Sequence, residues 1–380
     1  MSVDNTHRFL QLAAPGIAGL APYEPGKPAA DLEREYGIRN AVKLASNENP
    51  AGPSPAVRAA LADAAAGIER YPDGAAFALR DVLAAHLRIQ PQQLTLGNGS
   101  NDILVLLAET FLTPGHAAVY DQYSFVVYRL AVQACGAEAR IAASRPVDDE
   151  QPLGHDLDAM QALVDEQVRL VFIANPNNPT GTWLEQPALK KFIAGLPSDV
   201  IVVLDEAYLE YARQPDDHDT LDWLNEFDNL VIVRTFSKAY ALAGLRIGYS
   251  ISSPAVAGLL NRVRQPFNVN SLAQTAAIAA LGDQSWIADG VAQNIVERAR
   301  LESELGALGL TIVPSRGNFI LVDFSSAERA ATVNEFLLRR GVIVRPVANY
   351  GLPQYLRMTV GTPAENVRLL TELQSFADGS

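Results

Sequence analysis

Leu230-Val-Ile-Val-Arg-Thr-Phe-Ser-Lys-Ala-Tyr-Ala-Leu-Ala-Gly-Leu-Arg246 opens as a buried strand and closes in polar side chains. Its first four residues are apolar, mostly β-branched, and do not alternate with polar ones. That is the pattern of a strand covered on both faces of a sheet. Two other runs read the same way, Arg169-Leu-Val-Phe-Ile-Ala174 and Val200-Ile-Val-Val-Leu204. Helical patterns lie between them, so the middle of the chain is expected to form a doubly wound α/β unit with a mostly parallel sheet. Leu94-Thr-Leu96 and Ala117-Ala-Val-Tyr120 supply further strands, the first leading into a helix that includes Asp102 to Glu109.

Outward from this unit the chain changes character. The first forty-odd residues carry Pro15, Pro22, Pro25 and Pro28 and read as an extended arm, residues 1–45. The large unit then spans 46–270. The last hundred residues, 271–380, read as a smaller α+β domain. Its strands are expected over Ser315–Asp323, Gly341–Arg345 and Leu356–Val360. Ser325-x-x-Glu328 and Thr362-Pro-Ala-Glu365 are capping-box signals for its helices, the second with proline at the first helical position.

Composition narrows the function. The chain has 380 residues, 48% hydrophobic and 19% charged, which suits a folded protein of more than one domain. A net charge of −13 argues against nucleic acid or an anionic membrane as partner, since both call for a basic face. The one cysteine, Cys135, rules out an internal disulfide and suits a reducing, cytoplasmic setting. The N-terminus lacks a basic region followed by a long apolar core, and no segment reads as a membrane span.

Ligands of open parallel sheets bind beyond the carboxyl ends of the strands, so the residues there matter most. After Leu96 comes Gly97-Asn-Gly-Ser-Asn101, a glycine turn opening a helix, which suits a phosphate or simply a strand-to-helix turn. The third glycine of a dinucleotide fingerprint is missing, with Asp102 in its place. After Ala174 comes Asn175-Pro-Asn-Asn-Pro-Thr-Gly181, with amide donors in a proline-restrained loop. After Leu204 comes Asp205-Glu-Ala-Tyr208, an acid that needs a cap or a cationic partner. Thr235, Ser237 and Lys238 follow the fourth strand.

Asn178-Pro-Thr-Gly181, Asp205-x-x-Tyr208, Ser237-Lys238 and Arg246, in that order, resemble the signature of fold-type I pyridoxal-phosphate aminotransferases. Pro22-Tyr-Glu-Pro-Gly-Lys27, Leu44-Ala-Ser-Asn-Glu-Asn-Pro50, Arg70-Tyr-Pro-Asp73 and Tyr355-Leu-Arg-Met-Thr-Val-Gly361 are similar to the histidinol-phosphate branch of that family. The resemblance implies a large sheet domain with a smaller C-terminal domain, pyridoxal 5'-phosphate as cofactor and a homodimer with shared sites. Lys238 would bond the cofactor's aldehyde covalently and then shuttle protons. Asp205 would pair with the pyridine nitrogen, while Asn178 and Tyr208 would bond the ring oxygen. Ser100, Asn101, Thr235, Ser237 and Arg246 would hold the phosphate, and Tyr123 would stack on the ring. Tyr71 would reach the neighbouring subunit's cofactor. Arg357, Arg345, Tyr23 and Asn178 would contact substrate.

What this implies is transamination between histidinol phosphate and 2-oxoglutarate. An aromatic amino-acid aminotransferase shares the same signature, because both substrates present a flat ring. A β-eliminating lyase on the same fold and a cofactor-binding regulator are the more distant readings. The regulator would need a basic DNA-binding segment, which this chain lacks.

Overall fold

The protein is described from a computed structural model, which covers residues 3–22, 26–214 and 216–379. Short strand β1 (Val42–Lys43) precedes the main series: β2 (Leu94–Gly97), β3 (Ala117–Asp121), β4 (Glu138–Ala142) and β5 (Val168–Ala174). Next come β6 (Ile201–Asp205), β7 (Leu230–Thr235) and β8 (Gly248–Ser252). These seven form one sheet in the order β2-β8-β7-β6-β5-β3-β4. All run parallel except β8, which is antiparallel to both its neighbours. This is the doubly wound, mostly parallel unit expected from the sequence.

The absence of alternation in the strands has a direct structural counterpart. Leu170, Phe172 and Ala174 of β5 pack into one apolar cluster, and Val171 and Ile173 pack into another. Successive side chains point to opposite faces, so both faces must be covered. Each fully buried side chain of this kind contributes roughly 1.5–3 kcal/mol relative to exposure.

The C-terminal part adds β9 (Thr311–Val313), β10 (Phe319–Asp323), β11 (Val342–Ile343), β12 (Arg345–Val347) and β13 (Leu352–Thr359). Four of these make an antiparallel sheet, β12-β13-β10-β9, over a third apolar cluster that includes Ile320, Val322, Leu356 and Met358. β11 instead pairs in parallel with β1, tying the N-terminal segment to this end of the molecule.

Three local expectations are corrected. The first 45 residues contain helices Val3–Leu12 and Ala29–Tyr36, not an extended arm. In the second helix, Pro28 and Gly37 act as punctuation: proline occupies the N-cap, and glycine at φ 68° closes the C-terminus. The strand expected from Ser315 begins only at Phe319, because Ser315 Oγ accepts from Gly317 N and donates to Phe319 O, closing a turn. The cap expected at Ser325 lies at Ser326, whose side chain accepts from Arg329 N. Asp323 Oδ1 takes the Ser325 N–H at 2.7 Å, and Ser325 turns left-handed at φ 69°. The Thr362–Glu365 capping box forms as read, with Pro363 following the cap.

Candidate active site

Strands β2, β6 and β7 end around one cavity of about 370 Å³, within the usual range for small-molecule sites. Its wall includes Ser100, Asn101, Asn178, Asp205, Tyr208, Thr235, Ser237, Lys238, Arg246, Arg345 and Arg357. Eleven positions singled out in the sequence thus meet in one place, although they come from both sheets.

One end of the cavity is an anion cradle. Helix Ser100–Phe111 starts there, and the N–H groups of its first turn have no partner within the helix. Arg246 donates to Ala243 O at 2.9 Å and to Ser237 Oγ at 3.4 Å. Gly99 sits at φ 85°, and a Cβ there would fall 2.4 Å from Arg246 Nη2. Glycine is therefore required twice over, for the turn and for the guanidinium beside it. Asp102 folds back to accept from Asn98 N and Asn268 Nδ2, bracing the turn from within. That accounts for an acid where a dinucleotide fingerprint would place glycine.

The centre of the cavity holds the titratable pair. Asp205, at the end of β6, accepts from Tyr128 OH at 2.8 Å and from Ala207 N at 3.2 Å. Burial pushes its carboxyl up to about 6, against those two hydrogen bonds. Lys238, just past β7, donates to Ser46 O at 3.2 Å. Burial, then the Arg357 charge, lowers its amine to about 8. Tyr208 is pushed up to about 12 by burial and accepts from Asn47 Nδ2 at 3.0 Å.

The far side is cationic. Arg345 and Arg357 are direct partners in the β12–β13 register. Like charges facing across an antiparallel pair repel, so this placement favours an anion between or beside them. Arg357 donates to Asn178 Oδ1 and, at 2.9 Å, to Ala45 O. With its oxygen engaged, the Asn178 amide presents N–H groups elsewhere.

Not every sequence expectation falls in this cavity. Tyr123 is outside the wall, packing beside Tyr350 among Leu153, Leu321 and Tyr355, and Phe125 takes its place in the lining. The cause is the turn after β3. Buried Asp121 accepts from Tyr123 N and Ser144 Oγ and lies 3.4 Å from His155 Nδ1. Beyond this turn, Tyr123 packs against the Leu153–Tyr355 cluster and Phe125 reaches the lining. Tyr71 is 84% exposed, stacked on Phe267 at 5.0 Å and away from this chain's own cavity. Tyr23 lies outside the described residues.

Among the residues at the site that carried no role in the sequence reading are Phe125, Tyr128 and Asn47. For the first two a signal existed, since Phe125 and Tyr128 are spaced to share a helix face. Asn47 stood in a quoted motif without a role.

This fold, with a half-buried lysine and a buried acid lining one cavity at neighbouring strand ends, is that of a group-transfer enzyme. The profile of aminotransferase class I and II matches residues 39–373, and the chain belongs to that family. Histidinol-phosphate aminotransferase 2 of Pseudomonas fluorescens strain Pf0-1 is 53% identical over 368 residues, covering 96% of this chain and 97% of that one. Histidinol-phosphate aminotransferase of Methylobacillus flagellatus is 54% identical over 371 residues, covering 97% and 98%. Among solved structures, histidinol-phosphate aminotransferase from Sinorhizobium meliloti, in complex with pyridoxal-5'-phosphate, superposes with a TM-score of 0.87 at 30% identity, covering 96% of this chain and 97% of that one.

Proposed function

We propose that this chain is a pyridoxal-phosphate-dependent aminotransferase exchanging amino and oxo groups between histidinol phosphate and 2-oxoglutarate. One observation carries it: Lys238 and Asp205 close neighbouring strands, with an anion cradle at one side and two facing arginines at the other.

The donor set fits the cofactor. Ser100, Asn101, Thr235, Ser237 and Arg246 would hold its phosphate, the arginine supplying the formal charge. Asp205 would hold the protonated ring nitrogen, and that cation would offset the burial that raises this carboxyl. Asn178 N–H and Tyr208 O–H would address the ring oxygen, and Phe125 would lie against the ring. Bound there, pyridoxal phosphate supplies an aldehyde for condensation with amines and a ring that accepts the electron pair released at substrate Cα.

The chain's own residues do the rest. An amine at about 8 keeps a useful neutral fraction near neutral pH, so Lys238 can take a proton from substrate Cα and return it. Arg357 and Arg345 would bind the phosphate of one substrate and a carboxylate of the other. They supply locally the attraction that a net charge of −13 denies globally. The half-buried Cys135 has its thiol raised by burial and then by Glu109, so it is a packing residue and not a nucleophile. Among the described residues no helix is long and apolar enough to cross a membrane. A homodimer is part of the proposal, with Tyr71 completing the partner's site.

The test has two arms. The cofactor-loaded protein should be yellow, and borohydride should fix the cofactor to the chain; Lys238→Ala should form no such adduct. An adduct in that variant would remove Lys238 from its role. With 2-oxoglutarate as acceptor, kcat/KM for histidinol phosphate should exceed that for phenylalanine. The reverse preference would reassign the substrate to an aromatic amino acid.

A further inference from the structure

Leu44-Ala-Ser-Asn-Glu-Asn-Pro50 acts as a strap across the site, and its consecutive residues Ala45, Ser46 and Asn47 bond Arg357, Lys238 and Tyr208 in turn. Ala45 O accepts from Arg357, Ser46 O from Lys238, and Asn49 Nδ2 donates to Ala239 O at 2.9 Å. Asn47 is held hardest. It is 1% exposed and left-handed at φ 54°, a conformation that asparagine tolerates better than most residues. Its backbone N donates to Thr359 Oγ1 at 2.9 Å, and its backbone O accepts from Asn318 Nδ2 at 3.0 Å. Thr359 Oγ1 in turn donates to Asn47 Oδ1 at 3.2 Å.

These contacts decide a hydrogen position. With Oδ1 committed to Thr359, the Asn47 amide nitrogen faces Tyr208 OH at 3.0 Å. An amide nitrogen only donates, so the phenol oxygen is the acceptor in that bond. The single Tyr208 proton must therefore point elsewhere, and Tyr208 lines the cavity. We propose that Asn47 is a positioning residue that aims the Tyr208 hydroxyl into the cavity, toward an oxygen anion of the bound cofactor. The strap thereby couples the small sheet, through Thr359 and Asn318, to a phenol of the large one. The inference rests on the cofactor reading above.

The readout is the pH midpoint of the visible absorbance change in the cofactor-loaded protein. A hydroxyl donating to a ring oxygen anion stabilises the deprotonated form and lowers that midpoint. Asn47→Gly preserves the backbone conformation, since φ 54° suits glycine, and removes only the side chain. It should raise the midpoint by about half a pH unit or more, roughly a threefold change in proton affinity. Tyr208→Phe should raise it too. In the Tyr208→Phe background, Asn47→Gly should add less than half its single-variant shift, because the interaction runs through one phenol.

Asn47→Asp is the second variant: it keeps the volume and the Thr359 bond, has no N–H for Tyr208, and its carboxylate accepts the phenol proton instead. Burying that carboxylate lowers the melting temperature, so circular dichroism checks the fold, and the midpoint should still rise. An unmoved midpoint in both Asn47 variants, or a full additional shift on Tyr208→Phe, would overturn the inference and leave the cofactor reading standing. A wild-type protein that develops no visible band with pyridoxal phosphate would overturn both.

Discussion

Asp205 shows how a single residue can weaken the fold while serving the site. Burial raises its carboxyl from the usual 3.8 to about 6, so the folded chain holds that proton more tightly than the unfolded chain. The associated stability is present below about pH 4 and is lost as pH rises through about 6. In the cofactor-free protein this loss amounts to roughly 2–3 kcal/mol between pH 4 and pH 7. Asp205→Asn keeps the shape, and its amide can donate to the Tyr128 oxygen. Denaturant melts should therefore show the cofactor-free variant gaining on wild type as pH rises across that window. Saturating cofactor should reverse the order at pH 7.5, because only the carboxylate can pair with a cation. Parallel pH dependences of the two cofactor-free proteins would refute this. The residue types at the strand ends were legible in the sequence because each is chemically out of place beside a buried strand. The roles of Tyr128 and Asn47 were not, because the partners that define them lie far off; the i,i+3 spacing of Phe125 and Tyr128 placed them near each other without saying what they meet. Tyr128 meets Asp205 across 77 positions, and Asn47 meets Tyr208 across 161.

At the scale of elements, the turn from β2 into helix Ser100–Phe111 does two jobs with one glycine. Gly99→Ala must either abandon φ 85° or push the Arg246 guanidinium aside. Either response disturbs the anion cradle more than the core, which lies on the other side of the turn. The expected result is a cofactor Kd at least about tenfold weaker, since one charge-assisted bond is worth about 1.5–3 kcal/mol. The melting temperature of the cofactor-free chain should fall by only a few degrees. Isothermal titration beside a thermal melt would separate the two. Equal cofactor affinity would mean that Arg246 is not held by this turn. Sequence pattern predicts such elements unevenly. The three central strands were readable because burial on both faces leaves an unbroken apolar run. The Ser326 cap was missed by one position, because Asp323 captures the preceding N–H. The N-terminal helices were missed because proline and glycine signal a boundary without saying which side of it is ordered.

The whole molecule poses a question that one chain does not answer alone. Tyr71 and Phe267 stack in the open, with Ile68 and Phe77 also exposed, and none of them lines the cavity of their own chain. Large apolar side chains gathered on a surface mark a contact. If Tyr71 completes the site of a second copy, catalytic residues and Tyr71 must complement each other between subunits. Lys238→Ala and Tyr71→Ala should each be strongly impaired as pure proteins. When the two are unfolded together and refolded as a mixture, hybrid dimers acquire one site with neither defect. Random pairing puts about a quarter of all sites in that state, so activity should recover to about that share of wild type. Mixing without unfolding should restore activity only at the rate of subunit exchange, which light scattering on the same sample would follow. If the refolded mixture is no more active than the average of its parents, Tyr71 serves its own chain or none, and the shared-site dimer is wrong.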